Sequence, residues 1–169
     1  MTPLAARNDP GRAFFAQADN MQQQHWHIPD PEMQPEFYAD VATKRLIAWV
    51  IDTVVILVLC VLVSVATAFV GFFFFPLLMM AVGFLYRAAT IARGSATWGM
   101  RVMAIEFRTL SGERFDPWMA VLHTLGLTIS FAFPLLQLVS IFMMLTGPRG
   151  QGLSDRVLGT VALNRRAAA

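Results

Sequence analysis

From Leu46 to Val70 the chain runs for 25 residues with only Asp52, Thr53, Ser64 and Thr67 interrupting its apolar side chains. About 20 such residues cross the hydrocarbon core of a bilayer, so this stretch is long enough to span with some tilt. Gly71 breaks it. A second stretch from Phe72 to Ala92 follows, with Pro76 near its start and Arg87 near its end. The break leaves room only for a tight turn, which predicts two antiparallel helices in a hairpin over 46–70 and 72–92.

Composition supports the same reading. Apolar residues make up 56% of the 169 and charged residues 14%, against about 45–50% and about 25% in soluble domains. Lipid must cover what so few charges cannot. The expected fold class is therefore all-α, a multi-pass transmembrane helical protein whose main partner is the lipid bilayer. A net charge of +2 does not point to nucleic acid, because the basic residues flank apolar stretches and form no dense run. Cys60 stands alone inside an apolar stretch, so no disulfide framework is expected.

Residues 1–43 are polar and broken by proline, as in Asp30-Pro31-Glu32-Met33-Gln34-Pro35-Glu36. They read as a disordered or loosely ordered cytoplasmic tail, with no h-region for a cleavable signal. The membrane domain is expected over 44–163, with 164–169 as a short C-terminal tail. Between the spans, Met103, Ile105 and Phe107 alternate with Ala104, Glu106 and Arg108, a period-2 pattern that predicts a short strand in a cytoplasmic loop. Thr160-Val161-Ala162-Leu163 is a second β-prone piece that can pair with it only if both lie on one side of the membrane.

Pro117 to Thr146 is the third apolar segment, with Pro134 inside it. The 13 Lys and Arg residues fall in 1–45, 87–114 and 149–169, and none lies in 46–86 or 115–148. A shallow hairpin bent near Pro134 puts all three groups on the cytoplasmic side, as the positive-inside bias favours. A single long crossing remains the alternative.

Asp52, Arg87 and His123 are ionisable groups in apolar segments, where such groups are commonly paired or functional. Counting about 1.5 Å per residue from the nearest cytoplasmic boundary, each lies roughly 8–10 Å deep. They are expected to form a polar layer. Its simpler reading is an Asp52–Arg87 ion pair with His123 hydrogen-bonding nearby; the other is a proton- or cation-handling site with Asp52 as the titrating carboxylate and His123 as relay. His25-Trp26-His27 is a weak metal pattern without a third ligand, so neither metal nor cofactor is expected. No arrangement of nucleophile, base or paired carboxylates suggests an enzyme.

Tyr38-Ala39-Asp40-Val41-Ala42-Thr43-Lys44-Arg45-Leu46-Ile47-Ala48-Trp49-Val50-Ile51-Asp52 resembles the opening of the RDD family of bacterial membrane proteins. Thr97-Trp98-Gly99-Met100-Arg101 resembles that family's central loop, and Gln151-Gly152-Leu153-Ser154-Asp155-Arg156 its closing motif. The resemblance implies that Arg45, Asp52 and Asp155 are the signature triplet and that Thr97, Gly99 and Arg101 carry the loop motif. Where the family often has an Arg early in its third helix, this chain has His123. The resemblance also implies a multi-pass protein of the bacterial inner membrane, non-enzymatic and transport-related. Two alternatives stand beside that: a cation/proton antiporter acting as a homo-oligomer, and a scaffold or assembly partner for another membrane protein complex. If the C-terminal segment returns to the cytoplasmic side, Asp155 is placed to meet Arg45 or Arg101.

Overall fold

A computed structural model describes residues 28–165. His25-Trp26-His27, the first part of the expected tail and residues 166–169 lie outside the described residues.

Helix α1 runs Val41–Ala66, 26 residues or about 39 Å of rise. Leu46, Val50, Val54, Val58, Leu62 and Val65 are all exposed on it. That outward apolar face is suited to acyl chains, since lipid has no need of a polar surface. The helix ends four residues before Val70. Ala68 and Phe69 take left-handed backbone conformations, with φ of 50° and 69°, and a single turn, α2 (Val70–Phe73), leads into α3 (Phe75–Gly94). The break therefore occupies 67–74 and does not rest on Gly71 alone. Gly71 serves a different purpose: a Cβ there would lie 2.6 Å from Ser64 Oγ, so only glycine lets the turn pack onto α1. Pro76 sits in the first turn of α3, where its missing N–H has no intrahelical partner to lose.

After α3 come a five-residue helix α4 (Trp98–Val102) and strand β1 (Ile105–Thr109). The third apolar segment divides into α5 (Pro117–Ala132) and α6 (Pro134–Thr146), bent through 118°. The bend has a local cause. A residue before proline is pushed out of the helical region, and Phe133 is extended at φ −120°, ψ 94°. A short helix α7 (Leu153–Leu158) and strand β2 (Thr160–Asn164) close the described chain.

β1 and β2 pair antiparallel, from Ile105 opposite Asn164 to Thr109 opposite Thr160. β1 precedes the bent pair and β2 follows it. Their hydrogen bonds hold both ends of the third apolar segment on the same side of a bilayer, which a single passage would not permit. At about 24 Å and about 20 Å, α5 and α6 are each short of a hydrocarbon core about 30 Å thick. Among the described residues two helices, α1 and α3, are long and apolar enough to cross, and the bent pair has the length and composition of a broken span or a re-entrant loop; the paired strands fit the re-entrant form.

The sheet has two covered faces. Ile105, Phe107 and Ala162 join the main core with Val41, Ala48 and Met100. Val161 and Leu163 point the other way and are covered by Ile28, Phe37 and Tyr38. Residues 28–40, expected in the loose tail, are thus docked. Tyr38 donates its hydroxyl to Pro29 O at 2.7 Å, and the Asn164 amide donates to Glu36 O and Ala39 O. An apolar outer face on β2 needs a lid, and this segment supplies it. On the same side Glu106 lies between Arg108 and Arg165. Burial pushes its carboxyl pKa up, but the two guanidinium groups outweigh that and hold it below the ordinary value.

Membrane-impermeant maleimide should label Ser111→Cys and Arg165→Cys, in a Cys60→Ala background, from the same side of oriented vesicles. Labelling from opposite sides would be incompatible with the paired strands.

Candidate functional site

Two carboxylates organise the interior, and α1 contributes to both clusters. Asp52 is 3% exposed and accepts three hydrogen bonds: from the Tyr86 hydroxyl at 2.7 Å, the Thr97 hydroxyl at 2.6 Å and the Gly99 N–H at 2.8 Å. Thr97 does two jobs. Its Oγ also accepts from Met100 N at 3.2 Å, capping α4, a contact type that typically contributes about 1 kcal/mol. Gly99 must be glycine here, since a Cβ would fall 2.2 Å from Ala48 O on α1. The two loop-motif residues are therefore the donors that dock α4 onto the first helix. Arg101, the third, is exposed and lies over Gly94.

Arg87 does not form the expected ion pair. Its charge acts on Asp52 and Tyr86, but among the described residues its guanidinium makes no hydrogen bond. Three neutral donors, two of them from the segment after α3, satisfy the Asp52 carboxylate without it.

Asp155 is fully buried and accepts four hydrogen bonds. Arg45 Nη1 donates to Oδ2 at 2.5 Å and the Gly152 N–H donates to it at 2.9 Å. His123 Nε2 meets Oδ1 at 2.9 Å, and the Thr160 hydroxyl donates to the same oxygen at 3.2 Å. Arg45 also donates to Gly150 O at 3.2 Å and stacks 5.3 Å over the Phe107 ring. Burial alone pushes the Asp155 carboxyl pKa up. The Arg45 charge and the His123 hydrogen bond overcome this and hold it well below the ordinary carboxylate range. His123 thus belongs to Asp155 and not to Asp52. Because an ionised carboxylate can only accept, His123 Nε2 carries the proton, and Nδ1 is buried with no partner among the described residues. The ring is held by Phe107 at 4.4 Å and Phe115 at 5.6 Å between centroids.

Arg45, Asp52, Arg87 and His123 nonetheless open onto one cavity of about 380 Å³. Leu127, Phe131 and Ile141 form much of its apolar wall, and Gln137 of α6 adds a second buried unpartnered atom, Oε1. α6 is tied down from below, where Ser140 Oγ accepts from Leu153 N at 2.9 Å. No group of three or more His, Cys, Asp or Glu among the described residues is placed to hold a metal.

The RDD family profile matches residues 39–159, most of the chain. The chain belongs to the RDD family. No curated protein and no solved structure matches it. In this RDD protein the three residues expected as a signature divide their work: Arg45 and Asp155 bind each other, while Asp52 binds the central loop. Sequence reasoning missed Tyr86, Gln137 and Thr160. Tyr86 had a signal, a phenol beside Arg87 in an otherwise apolar span. Gln137 had one too, as a lone amide in an apolar helix, but neither signal names a partner.

Removing one member of a buried charged pair typically costs about 3–5 kcal/mol, so Asp155→Ala should lower the unfolding free energy in detergent by an amount of that order. The depressed Asp155 carboxyl stabilises the fold above its unfolded pKa. Wild-type stability should therefore fall as pH drops below the ordinary carboxylate range, and the slope should flatten in Asp155→Asn. A melt series from neutral to acid pH checks both.

Gly99→Ala should detach α4 from α1 while leaving the membrane helices in place. Protease cleavage within 95–103 should appear in the variant and not in the wild type, with helical circular dichroism nearly unchanged.

Proposed function

We propose that this RDD protein is a non-enzymatic, transport-related component of the bacterial inner membrane, with both ends of its membrane domain on the cytoplasmic side. The basic residues flanking its apolar segments support that orientation. The maleimide labels at 111 and 165, applied to intact cells, should then stay unreacted until the membrane is opened.

The observation that carries the reading is the convergence of Arg45, Asp52, Arg87 and His123 on one cavity between α1, α3, α5 and α6. Intramembrane ionisable groups around a cavity are the usual mark of a pathway or binding site. Cation/proton exchange by an oligomer is favoured by one specific feature. His123, which lines the cavity, holds Asp155 through Nε2 and keeps Nδ1 unpartnered among the described residues, so a second polar partner can meet the ring without breaking the Asp155 contact. The scaffold reading is favoured by another, the full set of internal donors on both carboxylates.

Proteoliposomes loaded with a pH-sensitive dye separate these. A sodium or potassium pulse should shift internal pH in the wild type. His123→Gln, which keeps an N–H donor for Asp155 and removes the imidazole, should abolish the shift without lowering the melting temperature greatly. No shift in a folded, oriented wild-type sample would rule out the exchange mechanism and favour the scaffold.

A further inference from the structure

Three polar groups around the cavity have hydrogen-bonding capacity that the described residues leave unmet. The Arg87 guanidinium carries five N–H donors and makes no hydrogen bond. Gln137 Oε1 and His123 Nδ1 are buried without partners, and His123 is itself only 3% exposed. They come from three different helices, α3, α6 and α5. Buried polar atoms in folded proteins are nearly always satisfied, so two buried orphans beside a half-buried, unbonded guanidinium around one space point to something that fills it.

The rest of the wall limits what that is. Leu46, Phe131, Ile141 and Leu145 line the cavity and are also exposed on the apolar outer surface. A soluble anion would answer Arg87 but leave these walls wet. A hydrocarbon chain alone would answer the walls but not the three polar groups. A zwitterionic lipid would bring an ammonium close to a guanidinium. Asp52, the neighbouring anion, already accepts from Tyr86, Thr97 and Gly99 and makes no hydrogen bond or ion pair with Arg87. The volume of about 380 Å³ falls in the usual range for small-molecule sites, about 300–1,000 Å³.

We propose that this cavity binds an anionic, hydroxyl-bearing phospholipid. Its phosphodiester sits on Arg87, its headgroup hydroxyls donate to Gln137 Oε1 and His123 Nδ1, and one acyl chain runs out past Phe131, Ile141 and Leu145. The assignment rests on reading the cavity as a ligand site, as proposed above, and names the class of ligand.

Native mass spectrometry of the full chain in detergent, with equal amounts of phosphatidylglycerol and phosphatidylcholine bearing the same acyl chains, tests it. A charge-assisted hydrogen bond corresponds to roughly tenfold in affinity, so the wild type should retain phosphatidylglycerol about tenfold more and Arg87→Gln should bring the two near parity. Arg93→Gln, which removes an exposed cation from the last turn of α3, should keep the preference. Leu127→Trp fills the cavity without touching a charge and should remove the preference as well, which keeps the test decisive if Arg87→Gln fails to fold. Equal retention of both lipids by the wild type overturns the proposal, and so does a preference that survives both cavity variants. Displacement of phosphatidylglycerol by equimolar glycerol 3-phosphate assigns the site to a soluble phosphate and overturns it too. The readout is lipid retention, so it is independent of flux. Lipid preference without ion exchange would remove only the exchange mechanism, and ion exchange without lipid preference would remove only the lipid.

Discussion

A carboxylate removed from water must find donors, and in this protein that requirement ties loops to membrane helices. α1 carries Arg45 and Asp52 two turns apart on one face. Each recruits a different polar segment. Asp52 collects the Thr97 hydroxyl and the Gly99 N–H, which seats α4 against the first helix. Arg45 collects Asp155, which seats α7 and the strand after it. Because α4 leads into β1 and α7 leads into β2, the two anchor points on α1 bring the strands together. The sheet follows from the placement of charges on a single helix, and its register gives the small core of Ile105, Phe107 and Ala162 against Val41 and Ala48.

The two anchors differ in kind. Asp52 is held by neutral donors, so its charge is delocalised over three hydrogen bonds and cancelled by no contact. Asp155 is held by a guanidinium and an imidazole as well as by neutral groups. A fully buried anion with a 14%-exposed arginine has strong attraction and heavy desolvation at once. The extra donors at Gly152 and Thr160 decide the balance, because a buried pair is favourable only when its remaining lone pairs are satisfied. The cost of satisfying them is borne by the closing motif: the backbone must bring Gly152 to 2.7 Å of a would-be Cβ contact with Ser140 Oγ. Glycine at that position is thus a packing requirement of the anchor.

Much of the architecture is legible in the sequence because it rests on length and period. The uninterrupted run after Arg45, the alternation at 103–108 and the distribution of Lys and Arg each carry direct physical meaning, and Pro134 marks the bend through its effect on Phe133. What resists reading is partner choice. Asp52, Arg87 and His123 sit at similar depth by residue counting, which suggests a single layer, yet depth says nothing of rotation about a helix axis. The 26-residue α1 turns its polar face toward the loop at 97–99, and α5 turns His123 toward α7. Only the assembled backbone shows that Thr97 and Gly99 arrive at Asp52 ahead of Arg87. The docked segment 28–40 was hidden for a related reason. Its few apolar residues, Ile28, Phe37 and Tyr38, have no period, and their burial depends on an apolar sheet face built more than 120 residues later.

The separation of the two anchors leaves Arg87 in an unusual position. Its charge balances Asp52 through space, while its N–H groups remain available to the cavity. Anything anionic that enters therefore draws on the same cation that offsets Asp52. The field at Asp52 would become more negative as Arg87 turned its donors toward the newcomer, and the hydrogen bonds from Tyr86, Thr97 and Gly99 would strengthen in response, since each points a positive dipole at that carboxylate. With the proposed lipid bound, occupancy of the cavity and the grip of α1 on the central loop would be coupled through one guanidinium. Such coupling needs no movement of the helices: it requires only that Arg87 be shared and that the donors on Asp52 be fixed, and the short contacts at 2.6–2.8 Å meet the second condition.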